Sequence, residues 1–173
     1  MPDLSTPPTE NSPEHSSNPQ PALLPPIFRI LAAFPDYDRG NRLYASGRYE
    51  AAADCYGKAV QIKPDWASAW LKLGKAYKQL HSYAEAVACA DRAIAINEDE
   101  YWAWMLRGTA LLSLQNCELA IASFDNAIEI NPDKHEAWYQ RGRALEELQQ
   151  WDSAANSYKK ATQIHPNLPT MWY

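Results

Sequence analysis

The residues in this chain that could do chemistry are few, and their spacing says more than their number. The four histidines, His15, His81, His135 and His165, show neither H-x3-H nor H-E-x-x-H spacing, and there is no glycine-rich loop of the Walker or dinucleotide type. Metal and nucleotide sites are therefore not expected, and no cofactor is called for. Carboxylate pairs such as Asp99-Glu100 and Glu146-Glu147 fall on polar helix faces or at helix starts, where solvation and the helix dipole account for them. Cys55, Cys89 and Cys117 are odd in number and lie at no metal-ligand spacing, so they fit small packing residues in a reducing compartment. The expectation is a protein that is not an enzyme. Lys72, Lys75 and Lys78 are different: they recur every three residues, nearly on one helix face. A solvated helix face has this pattern, and so does a row of cations facing an anionic partner.

Composition narrows the classes further. The 173 residues are 46% hydrophobic, 21% charged and 12% aromatic, which suits one soluble domain with a full core. A formal charge of -5 argues against nucleic-acid binding, which usually brings a clustered basic excess. The longest apolar stretches, Leu23-Leu24 and Ile30 to Phe34, fall far short of the roughly 20 residues that cross a bilayer. No Lys or Arg precedes Arg29, so neither a secretory signal nor an Arg-rich transit peptide fits, and the default location is cytoplasmic.

Residues 1–26 hold eight of the thirteen prolines among Ser, Thr, Asn, Glu and Gln. Proline removes backbone donors and the polar remainder cannot offset ordering entropy, so this stretch is expected to be a disordered tail. Beyond it the chain repeats with a period of 34. Trp70, Trp104, Trp138 and Trp172 keep that spacing, as do Gly40, Gly74, Gly108 and Gly142, which are four of the six glycines. Ala52, Ala86, Ala120 and Ala154 follow in the same register, then Ala59, Ala93, Ala127 and Ala161. Tyr56, Ala90, Phe124 and Tyr158 form a further set, and Pro64, Glu98, Pro132 and Pro166 the last.

Each unit reads as two helices. Trp70, Leu73, Gly74 and Tyr77 share one face, and Ala86, Ala90, Ala93 and Ile94 another. The turn between them falls just ahead of Tyr49, Tyr83, Cys117 and Trp151. A glycine facing an alanine lets the two backbones approach, while the aromatic positions fill the space between neighbouring pairs. Pro64, Pro132 and Pro166 end second helices, and the following Asp65, Asp133 and Asn167, with Asp99 after Glu98, are expected to cap the next one. Cys55 and Cys89 hold the same place in successive units, about one helix-pair step apart and beyond the ~7 Å that a disulfide spans.

The pattern W-x2-L-G-x2-Y followed by A, F, A and P, best carried by Trp70, Leu73, Gly74, Tyr77, Ala86 and Ala93, resembles the tetratricopeptide repeat family. The resemblance implies an all-α, right-handed solenoid of antiparallel helix pairs. It covers residues 33–168 as the units 33–66, 67–100, 101–134 and 135–168, with a fifth begun at 169–173. The first unit departs from the pattern with Asp36 in place of Trp, and Arg39, Arg107 and Arg141 replace the Leu before Gly. Residues 27–34 are expected to act as a short apolar cap over the first unit. At the other end Met171-Trp172-Tyr173 stop inside a new unit. A longer native chain would explain this, and so would self-association of the open end with another copy.

The resemblance also implies that the first helices line a concave groove, and it assigns groove positions by repeat. They carry Asn41 in the first unit, Lys72, Lys75 and Lys78 in the second, Trp102, Met105 and Thr109 in the third, and Tyr139 and Arg143 in the fourth. Trp102, Met105 and Tyr139 would anchor a peptide or protein segment, and the cations would steer an acidic stretch or a terminal carboxylate. Family members that hold heat-shock chaperone tails use a clamp of Lys, Asn and Arg. Only Asn41 agrees here, while Tyr37, Lys72, Trp102 and Leu106 take the other places, so binding through that clamp is not expected. The implied function is a non-catalytic scaffold for protein–protein interaction. Two alternatives remain: the regulatory arm of a larger glycosyltransferase-like or kinase-like enzyme, and a self-associating assembly unit.

Overall fold

The computed structural model describes residues 25–166, so most of the 1–26 segment and the begun unit at 169–173 lie outside the described residues. Among the described residues the chain forms eight α-helices: α1 Pro26–Ala45, α2 Tyr49–Ile62, α3 Ala67–Gln79, α4 Tyr83–Ile96, α5 Tyr101–Ser113, α6 Cys117–Ile130, α7 His135–Glu147 and α8 Trp151–Ile164. They pack as four consecutive pairs, each stacked on the next through the second helix of one pair and the first helix of the following one. The first helices also meet directly, α3 against α5 and α5 against α7, so they form the inner, concave row of the array.

A set of 34-residue contacts builds every unit. Between the two helices of a pair stands one residue in the left-handed region: Gly47 at φ 75°, His81 at 60°, Gln115 at 61° and Gln149 at 59°. The next amide then reaches back five residues, Arg48 to the Leu43 carbonyl at 3.0 Å and Ser82, Asn116 and Gln150 to Tyr77, Leu111 and Leu145 at 2.9 Å each. This closes the orphan carbonyls at the end of the first helix. Only the first unit spends a glycine on that turn.

The periodic tryptophans fasten one pair to the next. Nε1 of Trp70, Trp104 and Trp138 donates to the carbonyls of Pro64, Glu98 and Pro132 at 2.8, 2.8 and 3.0 Å. The acceptor is main chain, which is why Glu98 serves as well as proline. The same contact replaces the expected aspartate caps. Asp65 and Asp133 lie one residue before the N-cap positions Trp66 and Lys134, and neither of those helix starts has a side-chain cap. Asp65 instead bonds Lys63 at 2.9 Å, and Glu100 caps α5 by accepting from the Trp102 amide at 3.3 Å.

The periodic glycines make room for rings rather than for alanines alone. A Cβ on Gly40, Gly108 or Gly142 would stand 2.6, 2.5 or 2.6 Å from the ring of Tyr56, Phe124 or Tyr158. In the second unit Ala90 supplies no ring, and Leu106 from α5 fills the space, its Cδ2 2.6 Å from a Cβ on Gly74. Tyr56 and Phe124 are wholly buried, as are the alanines 52, 59, 86, 90, 93, 120 and 127. The three cysteines are buried too, and desolvation pushes the Cys89 thiol up to about 12, so it stays protonated and unreactive.

Two of the arginines that replace leucine, Arg107 and Arg141, have a purpose the sequence did not disclose. Arg107 Nε donates to Asp91 on the preceding pair at 2.7 Å, and its Nη1 to Ser123 on its own pair at 2.8 Å. Arg141 repeats this with Asp125 at 2.6 Å and Ser157 at 2.8 Å. One guanidinium thus ties three helices at each seam.

Residues 27–34, expected as a short capping segment, are part of the first helix of the array. They continue α1, in which Pro35 forgoes one helical hydrogen bond, and Phe28, Leu31 and Phe34 are 55%, 65% and 54% exposed.

Candidate groove on the first helices

Three helices, α3, α5 and α7, present the side chains that matter. Lys72, Lys75 and Lys78 lie along α3, each half-buried, because a three-residue step on a helix keeps them near one face. Across from them on α5, Trp102 is 40% exposed, with the Lys75 ammonium 5.3 Å from its ring centroid. Lys134, at the N-cap of α7, also reaches this ring at 4.9 Å and the neighbouring Tyr101 ring at 5.2 Å. An aromatic face attracts cations through its quadrupole, so the indole gathers two ammonium groups at this point of the concave surface.

Burial lowers the pKa of Lys75, and the like charges of Lys72 and Lys78 lower it further, against the opposing carboxylate of Glu100. None of the three lysines of α3 enters a salt bridge among the described residues. Their positive charge is thus met by no carboxylate in direct ion-pair contact among the described residues, Glu100 acting on Lys75 only from a distance.

Further along the same face an open cleft of about 700 Å³ lies between the ends of α3, α5 and α7, lined by Lys78, Thr109, Gln140, Arg143 and Glu147 among others. Arg143 is exposed, with Nη1 donating to Gln140 Oε1 at 3.2 Å, and the Thr109 hydroxyl donates to the Leu106 carbonyl at 3.1 Å. Lys78, Thr109 and Arg143 therefore meet in one cleft, and Lys75 lies one helical turn from it beside Trp102.

The remaining expected residues go elsewhere. Met105 is 6% exposed and packs in the core with Phe124 and Ala137, so it offers no surface to a ligand. Asn41 on α1 accepts from the Tyr56 hydroxyl at 2.9 Å. Tyr139 is half-buried, its ring 5.6 Å from Tyr158, whose hydroxyl donates to Glu146 at 2.7 Å. Lys134 is a cation of this surface that the repeat positions did not select, because it stands in the link between two units.

Among the described residues no cluster of three or more His, Cys, Asp and Glu side chains could hold a metal, although the His135 and His165 rings lie 4.8 Å apart. No helix among them is long and apolar enough to cross a membrane.

Three family profiles, described as TPR repeat or tetratricopeptide repeat, match residues 40–81, 67–110 and 105–169. No curated protein sequence matches the chain. Among solved structures, the crystal structure of MamA is similar with a TM-score of 0.75 and 25% identity, covering 78% of each chain. The first TPR of Spaghetti (RPAP3), solved bound to the HSP90 peptide SRMEEVD, is 27% identical with a TM-score of 0.66, over 68% of this chain and 93% of that one. The first TPR domain of human RPAP3 is 28% identical with a TM-score of 0.65, over 73% and 97% of the two chains. With overlapping matches from residue 40 to residue 169 on a stack of helix pairs, the chain belongs to the tetratricopeptide repeat family.

Proposed function

We propose that this protein is a non-catalytic interaction module whose concave face holds an acidic peptide segment of a partner. The observation that carries this reading is the row Lys72, Lys75 and Lys78 beside Trp102: cations kept half-buried next to one another with no carboxylate in a salt bridge with them. Such an arrangement costs the free protein some stability and rewards a ligand that brings negative charge. The indole adds apolar contact area, and Arg143 with Lys78 extends the attraction into the cleft. That the related TPR of Spaghetti was solved with the peptide SRMEEVD, which holds three acidic residues, supports an acidic ligand class. The contacts differ from the family's chaperone-tail clamp, since Asn41 is engaged by Tyr56 and Lys72 and Trp102 stand at clamp positions. Recognition here rests on a lysine row and an aromatic face.

The test is fluorescence anisotropy with a labelled heptapeptide carrying three carboxylates, and with its Gln/Asn counterpart. The acidic peptide should bind at least about tenfold tighter, a difference of about 1.4 kcal/mol, and Lys75→Glu with Arg143→Glu should remove that advantage. Equal binding of the two peptides, or an advantage that survives the double substitution, would overturn the reading. The Lys75 pKa lies below 10.5 and an anionic ligand raises it. Binding then takes up protons in that range, and affinity falls as pH rises through the lowered pKa.

A further inference from the structure

The links between units put different side chains at one repeat position, and their contacts differ accordingly. Trp66 lays its ring against Tyr37 at 4.4 Å, and Glu100 accepts from the Trp102 amide at 3.3 Å. Lys134, the residue at that position in the following link, reaches back to α5. Its ammonium stands 5.2 Å from the centre of the Tyr101 ring and 4.9 Å from that of Trp102, and these two rings meet edge to face at 5.0 Å and 84°. Tyr101 is 6% exposed and belongs to the core of the third and fourth pairs. The corner is therefore a fixed wall, and its two π faces hold the Lys134 ammonium at one place on the rim of the groove.

Lys75 reaches the same indole from α3, 5.3 Å from its centre, so the two ammonium groups are separated by no more than twice that distance. Neither enters a salt bridge among the described residues, and Glu100, beside them, is engaged by the Trp102 amide. Like charges gathered at one ring repel, which favours a ligand that answers each of them with a carboxylate of its own. In an extended chain, side chains two residues apart share a face at about 7 Å, within that reach, whereas adjacent ones point to opposite faces. We propose, building on the reading of this groove as an acidic-peptide site, that it selects a segment with two carboxylates separated by one residue, one taken by Lys75 and the other by Lys134 at the Trp102 indole. Lys134 is then the residue that sets the spacing.

The probes are three labelled nonapeptides on one Ser/Ala background: two Glu at i and i+2, two Glu at i and i+6, which lie about 20 Å apart when extended, and the first with both Glu replaced by Gln. Titrated against the full chain by anisotropy, the i,i+2 peptide should bind about fivefold tighter than the i,i+6 peptide. Lys134→Gln should make the two acidic peptides equal, and Lys134→Arg, which keeps the cation, should keep the preference. Equal affinities in the unaltered chain, a preference that survives Lys134→Gln, or one lost in Lys134→Arg would overturn the proposal. The Gln peptide separates this outcome from failure of the reading beneath it. Acidic peptides that bind alike but tighter than the Gln peptide contradict the spacing alone, whereas three peptides that bind alike, or none that binds, contradict both.

Discussion

The second and fourth repeats share a backbone and differ in what fills it. In the fourth, the Tyr158 ring rests on Gly142, and Arg141 joins Asp125 to Ser157. In the second, Ala90 stands for the ring, and Leu73, Gly57 and Cys89 stand for the arginine, the aspartate and the serine. Leu73 and Cys89 there belong to one apolar cluster with Tyr56 and Val60. Each set changes as a whole, and the third repeat, with Arg107, Asp91 and Ser123, sides with the fourth. The lesson is that a stacking slot accepts either an apolar or a hydrogen-bonded filling if its corners agree, since a partly buried polar group without partners is costly.

The largest effect that could sharpen this contrast lies at the glycines. Gly142→Ala drives a Cβ to 2.6 Å from the Tyr158 ring and should cost about 3 kcal/mol in urea unfolding. Gly74→Ala meets the end of the Leu106 side chain first, which can turn aside, and then Cys89 Cβ at 3.0 Å and the Ala86 carbonyl at 3.3 Å, so a loss of about 2 kcal/mol, smaller than at Gly142, is expected. Equal losses would mean that the ring is not what fixes the fourth repeat.

A smaller effect tests the polar corners. Arg141→Leu alone should destabilise by about 1.5 kcal/mol, because the oxygen of Ser157, which is 1% exposed, loses its donor and keeps only its own bond to the Ser153 carbonyl, while Asp125 rehydrates. Adding Asp125→Ala and Ser157→Cys rebuilds the apolar corner of the second repeat and should recover all but about 0.5 kcal/mol. Losses that merely add across the three substitutions would break the comparison.

Much of the fold was legible because 34-residue periodicity is a geometric fact about stacked pairs. The starts of α2, α4, α6 and α8 fall at Tyr49, Tyr83, Cys117 and Trp151, where the turn signals pointed. The missed caps have a physical reason: the Trp indole already holds the link between pairs, so the aspartate before the N-cap is free to do other things. The extension of α1 was missed because the 34-residue pattern begins only at residue 33, seven residues after the helix starts at Pro26. Arg107 and Arg141 were visible as departures but not as clamps, since each partner lies 16 residues away on another helix. Aligning the second, third and fourth units against one another would have exposed them, because Asp and Ser accompany Arg107 and Arg141 and are absent beside Leu73, whereas Arg39 of the first unit has Cys55 in the Ser place.

The groove was legible in part. The lysine spacing on α3 was enough to place three cations on one face, whereas a positional rule could not tell that Met105 turns into the core. Lys134 escaped because linkers lie outside any helical period, yet it reaches Trp102 at 4.9 Å.

The most direct test of the central claim is a map of where an acidic peptide binds, read from backbone and indole NMR shifts of the full chain during titration. The account predicts the largest changes at Lys75, the Trp102 indole, Thr109 and Arg143, on α3, α5 and α7. Changes confined to α4, α6 and α8, with the Trp102 indole unmoved at saturation, would contradict it.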